Sequence, residues 1–379
     1  MHVVLQGHTV IPPLTGIGHY TRELGRALTA TGAVQRLDVL SGWRCYTSIA
    51  DAEVALAPAA RARRLPGKAL LGLAWRHLRS ITAAMALPPG TDVFHSPDYE
   101  LPRVSIPGVV TVHDLSHRFF PEHHPAARVR HLERVLPASL ERADAIITVS
   151  DTVRNELISE MGIRPERVHA IANGARAAFR ADCSPETAAQ TYGLSPGRYV
   201  LSVGALEPRK NLARLLEAYL ALPRPLQSAY PLILAGPDGW ADRHLRAAVK
   251  RACDTGVVRR LGYVPDEKLP SLYSGAAAFV YPSVYEGFGL PVLEAMACGT
   301  PVVTSDTGAL AEVTEAAALG VDVYDTLAIR DALEWVLTDR EVSGRLRRAG
   351  PRQASGFTWS ATAEATSEVY TQVLGGNRG

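Results

Sequence analysis

Short runs of β-branched and aliphatic residues alternate with longer segments of helical period along the whole chain, the pattern of parallel βαβ units. HVVLQG, RLDVLS, DVFHS, GVVTVHD, AIITVS and VHAIAN read as strands in the first half; YVLSVG, PLILAG, VVRRLG, AAAFVYPS and PVVTSD follow in the second. Residues 175–198, between the two sets, are rich in Ala, Gly and Ser and mark a connector. The fold class expected is α/β, with Rossmann-like doubly wound domains at 1–178 and 179–357 facing across a cleft. Ligands then belong at the carboxyl ends of the strands. FTWSATAEATSEVYTQVL has the apolar spacing of a last amphipathic helix, at about 358–379.

Composition narrows the class. At 379 residues the chain is too long for one ordinary core, and 47% hydrophobic with 21% charged residues is a globular balance. Lys and Arg number 40 against 38 acids, for a net charge of +2, so global electrostatics do not call for nucleic acid. Cys45, Cys183, Cys253 and Cys298 form no close pair, which argues against zinc and disulfides and suits reduced thiols in a cytoplasm. MHVVLQGHTV reads as a first strand rather than a signal peptide. The most apolar helical stretch, LLGLAWRHLRSITAAMAL, is interrupted by Arg76, His77 and Arg79, so no membrane span is expected.

One local bias stands out. Residues 54–91 contain no acid, whereas Arg61, Arg63, Arg64, Lys68, Arg76 and Arg79 are basic, and Leu71, Ala74, Leu78, Ile81 and Met85 recur at helical spacing. A basic amphipathic segment over 61–85 suits peripheral contact with an anionic membrane carrying a lipid-linked acceptor. A core-facing helix with a solvated basic face has the same pattern.

Candidate chemistry sits at strand ends. TGIGHYTREL leads from the first strand into a helix, where Gly16 and Gly18 would let backbone approach a phosphate. Thr21 stands where a dinucleotide fingerprint needs a third glycine, which weakens an NAD reading; a tight turn without ligand fits as well. GVVTVHD releases His113 and Asp114, and a histidine there is a donor or general base, or part of a loop cap. His117, His123, His124 and Glu122 match no metal-ligand spacing and read as a solvated loop. Arg209 and Lys210 precede a helix whose free N-terminus lies beside them, which suits a diphosphate; a solvated charge pair is the bland reading.

In YPSVYEGFGLPVLEAMACGTPVV, Pro291 reads as the first helical residue of a helix running from about Leu290 to Ala297. Glu286 falls in the glycine loop before it and Glu294 on its first turn, flanking the anion-binding N–H groups of Phe288, Gly289 and Leu290. Carboxylates accept from vicinal hydroxyls, so the pair suits a sugar and a ribose at either end of a diphosphate. Complementing the helix dipole would account for Glu294 alone.

EGFGLPVLE (286–294), EPRKN (207–211), LGYVPDEKL (261–269), NGA (173–175) and TGIG (15–18) occur together in an order that resembles the retaining GT-B glycosyltransferases of glycosyltransferase family four. The resemblance spans nearly the whole chain. It implies that Glu286 binds donor-sugar hydroxyls, Glu294 the ribose, and Arg209 with Lys210 the diphosphate. His113 would face the reacting sugar, Gly16 would approach the phosphate or acceptor, and backbone around Tyr263 and Val264 would meet the base. The last helix would return to the first domain. Many relatives carry Gly-Arg where this chain has Gly204 and Ala205. The EPRKN variant resembles the mannosyl- and rhamnosyltransferase-like branch, which implies GDP-mannose as donor, a saccharide, lipid-linked or small-molecule acceptor, retention by same-face displacement, and neither metal nor cofactor. Two rivals stay open on sequence: a nucleotide-sugar epimerase on a similar fold, and a non-catalytic sugar-nucleotide-binding subunit.

Overall fold

The computed structural model describes residues 1–58 and 86–376; the basic segment read at 61–85 lies outside the described residues. The chain divides into two compact units, one of Met1–Leu115, Ala127–Gly174 and Thr358–Gly379, the other of Ser116–Ala126 and Ala175–Phe357.

The first unit is built on a seven-stranded sheet, ordered β3-β2-β1-β4-β5-β6-β7. Its strands are β1 (His2–Gln6), β2 (Arg36–Ser41), β3 (Arg44–Tyr46), β4 (Val93–Ser96), β5 (Gly108–Val112), β6 (Ala145–Thr148) and β7 (Val168–Ala170). The second carries a six-stranded sheet, ordered β10-β9-β8-β11-β12-β13. It comprises β8 (Val200–Val203), β9 (Leu232–Ala235), β10 (Val258–Gly262), β11 (Ala278–Tyr281), β12 (Val302–Ser305) and β13 (Leu319–Val321). Among the described residues every pairing is parallel except β2 with β3. Strands β1, β4, β5, β6, β9, β11 and β12 are buried along their length, because helices on both faces of a parallel sheet demand uninterrupted apolar runs. The two strands not expected, β3 and β13, are three residues each, too short for a periodic signal.

A polar chain crosses the core of the first unit. Tyr370, on the final helix Trp359–Gly376, meets His95 Nδ1 at 2.6 Å; His95 Nε2 meets Thr111 Oγ1 at 2.8 Å; Thr111 Oγ1 meets the Tyr20 hydroxyl at 3.0 Å. Burial, and then the neighbouring His113, push the His95 imidazole down to about 3, so it stays neutral. The final helix is thereby tied to β4, β5 and the helix Gly16–Ala30.

Two boundaries differ from those read in the sequence. The chain passes into the second unit after Gly174 rather than 178, and Ser116–Ala126, placed by sequence in the first domain, belongs to the second. The indole of Trp240 donates to the His123 carbonyl at 2.7 Å, the His124 ring lies 5.6 Å from Trp240, and Phe119 and Phe120 pack on Tyr285. The loop read as solvated is therefore anchored, with His117 and His124 buried. Among the described residues no group of His, Cys, Asp and Glu is arranged to hold a metal ion, and no helix is long and apolar enough to cross a membrane.

At the end of β9, Gly236 has φ +146° and a Cβ there would overlap the Gly204 carbonyl. Both the backbone and the space exclude a side chain. Gly236→Ala should lower the stability of the second unit by about 2 kcal/mol or more, whereas Gly16→Ala, with open space at its Cβ, should stay within about 0.5 kcal/mol; thermal unfolding of the two variants checks this.

Candidate active site

In the second sheet β8 lies between β9 and β11, so successive crossovers leave it in opposite directions and the carboxyl ends of β8 and β11 form the topological switch point. Gly204 and EPRKN follow β8; PSVYEGFG follows β11. Hydrogen bonds join the two loops: the Val284 amide donates to the Arg209 carbonyl at 3.0 Å, Ser283 Oγ lies 3.0 Å from the same oxygen, and Arg209 Nη1 donates to the Tyr285 carbonyl at 2.6 Å.

Glu286 is the centre of this arrangement. Arg209 Nη1 lies 2.8 Å from its Oε2 and Lys210 Nζ 2.6 Å from its Oε1. Ser283 Oγ and the Tyr281 hydroxyl donate to Oε1 at 2.6 and 3.0 Å, and Lys210 also donates to the Tyr281 hydroxyl. Burial by itself would raise the Glu286 carboxyl; Arg209 and Lys210, with hydrogen bonds from Lys210 and Ser283, outweigh it and hold the group at about 2. Burial, then the Arg209 charge, push Lys210 down, against Glu286. The acid read as a sugar ligand and the cations read as diphosphate ligands are one hydrogen-bonded network, with Glu207 3.6 Å from Arg209 Nη2 as a second acid.

The helix Leu290–Ala297 begins at Gly289, whose φ of +103° and contact with Leu310 admit only glycine. Leu290 is the first helical residue and Pro291 the second, which sets Glu294 one turn in, deeper than the first-turn position read from sequence. No side chain caps the start, so the amides after Phe288 remain the anion-facing end. Glu294 is buried and paired: Arg176 Nε and Nη2 both reach its Oε1 at 2.8 Å, Arg176 Nη1 is 3.2 Å from Asp266, and the guanidinium lies 4.5 Å over the Phe179 ring. Burial raises the Glu294 carboxyl and Arg176 offsets part of that rise. Arg176 carries no sequence signal, since an arginine in an Ala- and Gly-rich connector reads as solvated.

Gly204, Lys210, Gly236, Arg260 and Tyr281 line a pocket at the ends of β8, β9 and β11. Val264 is buried and Tyr263 exposed after β10, on the segment that brings Asp266 to Arg176. In the first unit, Thr15 Oγ1 caps the helix Gly16–Ala30 by accepting from the Gly18 amide. A Cβ on Gly18 would stand 2.6 Å from the Thr9 carbonyl, so Gly18 serves packing, while Gly16 has open space. His113, at the end of β5, gives its Nε2 to the Pro97 carbonyl at 2.8 Å, and burial pushes its imidazole down. With Nε2 donating, the neutral ring's Nδ1 carries no proton and can accept but not donate a hydrogen bond.

Residues 14–179 match the family described as Glycosyltransferase Family 4, and residues 187–353 match Glycosyl transferases group 1. O-antigen chain mannosyltransferase B of Escherichia coli is 38% identical, covering 98% of this chain and 99% of its own. Among solved structures, sucrose-phosphate synthase of Thermosynechococcus elongatus superposes with a TM-score of 0.74 at 21% identity over 99% of this chain and 100% of that one. Anabaena HepE in complex with UDP and glucose gives 0.70 at 19% identity, over 98% and 100%. The chain belongs to glycosyltransferase family 4 and has the two Rossmann-like domains of the GT-B fold.

Proposed function

We propose that this glycosyltransferase moves mannose from GDP-mannose to a hydroxyl of a growing bacterial polysaccharide, free or lipid-linked, with retention of anomeric configuration. The observation that carries the reading is Glu286 held between Arg209 and Lys210 at the switch point of the second sheet. The full-length similarity to an O-antigen chain mannosyltransferase supports the sugar and the acceptor class. An ionised carboxylate accepts hydrogen bonds from sugar hydroxyls, and the cations beside it neutralise the diphosphate as the anomeric C–O bond breaks. The acceptor oxygen bonds to the anomeric carbon on the face the diphosphate leaves, and its proton passes to the departing phosphate oxygen. Arg209, Lys210 and the amides at the start of the helix Leu290–Ala297 carry the developing charge in this scheme. Glu294 would accept from the ribose, and Arg176 favours its ionised form against the effect of burial.

GDP should raise the melting temperature more than UDP, since a nucleotide at about 100 times its Kd adds about 2.7 kcal/mol; a larger shift with UDP would replace the donor. Glu286→Gln and Lys210→Ala should each lower kcat by about a hundredfold or more while retaining the fold by circular dichroism, and near-wild-type turnover in both would remove the site assignment. Arg176→Met should cost about 3–5 kcal/mol at neutral pH by leaving Glu294 an unpaired buried charge. Its folded carboxyl would then titrate further above its unfolded value, so the folded state binds the extra proton and the deficit should shrink on acidification from pH 7.5 to 5. A deficit that does not change with pH would mean that Arg176 acts only through packing.

A further inference from the structure

The four cysteines lie far apart in the sequence, and the second unit brings two of them together. Cys298 caps the carboxyl end of the helix Leu290–Ala297, where its amide donates to the Glu294 carbonyl at 3.1 Å, and it is buried. Cys183 lies on the connector that follows Arg176; it is partly exposed, and its Sγ donates to the Ala178 carbonyl at 3.2 Å. Contacts along the connector hold it in place. Arg176 pairs with Glu294, the Phe179 ring stands edge-on to Tyr273 at 5.7 Å, and a Cβ on Gly299 would lie 3.8 Å from the Ala181 Cβ. Beyond these contacts the side chains of Cys183 and Cys298 hydrogen-bond to each other.

The two thiols are not equivalent. Burial, and then the neighbouring Cys183, push the Cys298 thiol up and keep its proton on, whereas Cys183 is the one that solvent reaches. A dissolved reagent therefore meets Cys183 first, with Cys298 standing behind it. An accessible cysteine backed by a second thiol is the arrangement in which one sulfur reacts and its neighbour resolves the product. Packing accounts for a buried Cys298 by itself, but not for a partly exposed sulfur set against it.

We infer that Cys183 and Cys298 form a dithiol site for low-molecular-weight disulfides, which convert it to an internal disulfide bond. The Cys183 thiolate, its proton lost to solvent, attacks one sulfur of the reagent, and the other sulfur leaves and is protonated to a thiol. Cys298 then gives up its proton and attacks the Cys183 sulfur, releasing the second half of the reagent as a thiol. Two protein thiols are oxidised, and one disulfide is reduced to two thiols. The new bond ties the connector bearing Arg176 to the helix bearing Glu294, so that the loop between residues 183 and 298 is closed covalently. This chemistry goes beyond glycosyl transfer and does not depend on the donor.

The test incubates the folded full chain with oxidised glutathione and reads the products by mass spectrometry of non-reduced peptides. In the wild type a peptide pair joined through Cys183 and Cys298 is expected. Cys298→Ala should keep glutathione on Cys183, and Cys183→Ser should leave Cys298 an unmodified thiol. Closing the loop should raise the wild-type melting temperature by about 5 °C or more, dithiothreitol should reverse the rise, and neither variant should show it. Wild-type Cys183 that retains glutathione beside a free Cys298 would overturn the inference, and so would a joined pair that forms only after unfolding in urea.

Discussion

Burying a carboxylate among two cations is the constraint on which the second unit's site depends. Glu286, Arg209 and Lys210 are each nearly withdrawn from water, and a buried charge is tolerated only when its partners are held at hydrogen-bond distance. Holding them requires that the loops after β8 and β11 be fixed to each other, and the Ser283, Val284 and Arg209 bonds do this. The close approach at Gly236 and the left-handed turn at Gly289 then follow. With the network set, Arg209 and Lys210 hold positions that need little reorganisation, the condition under which they would stabilise the leaving group of the proposed transfer.

The first unit handles its buried polar groups differently. Tyr370, His95, Thr111 and Tyr20 satisfy one another as neutral groups, and His95 stays uncharged because burial, and then His113, disfavour its protonated form. Where acids do appear, at Asp98 and Asp114, they stand at strand ends beside His113.

The fold class was legible because parallel strands buried on both faces must be apolar throughout, and HVVLQ, GVVTV and AFVY are. Glu286, Arg209 and Lys210 were singled out in the sequence because charges at glycine-rich strand ends are hard to explain as surface, and the structure brings the three together. Arg176 was not. It looks like an ordinary polar residue in a connector, and its meaning comes from a partner 118 residues away. The Ser116–Ala126 segment was misplaced because membership follows contact with Trp240 and Tyr285, which chain order does not encode.

The sequence by itself determined the alternation of elements, the helix start at Leu290 and Pro291, and the residue types at the strand ends. Those are set by local backbone preference and by period, which neighbouring residues decide together. Tertiary structure alone decided that Glu286 is neutralised by Arg209 and Lys210, that Glu294 lies one turn in against Arg176, and that Cys183 meets Cys298. Pairing energies in a buried site depend on ångström-scale distances and on exclusion of water, and both are properties of the packed sheet ends rather than of any stretch of chain.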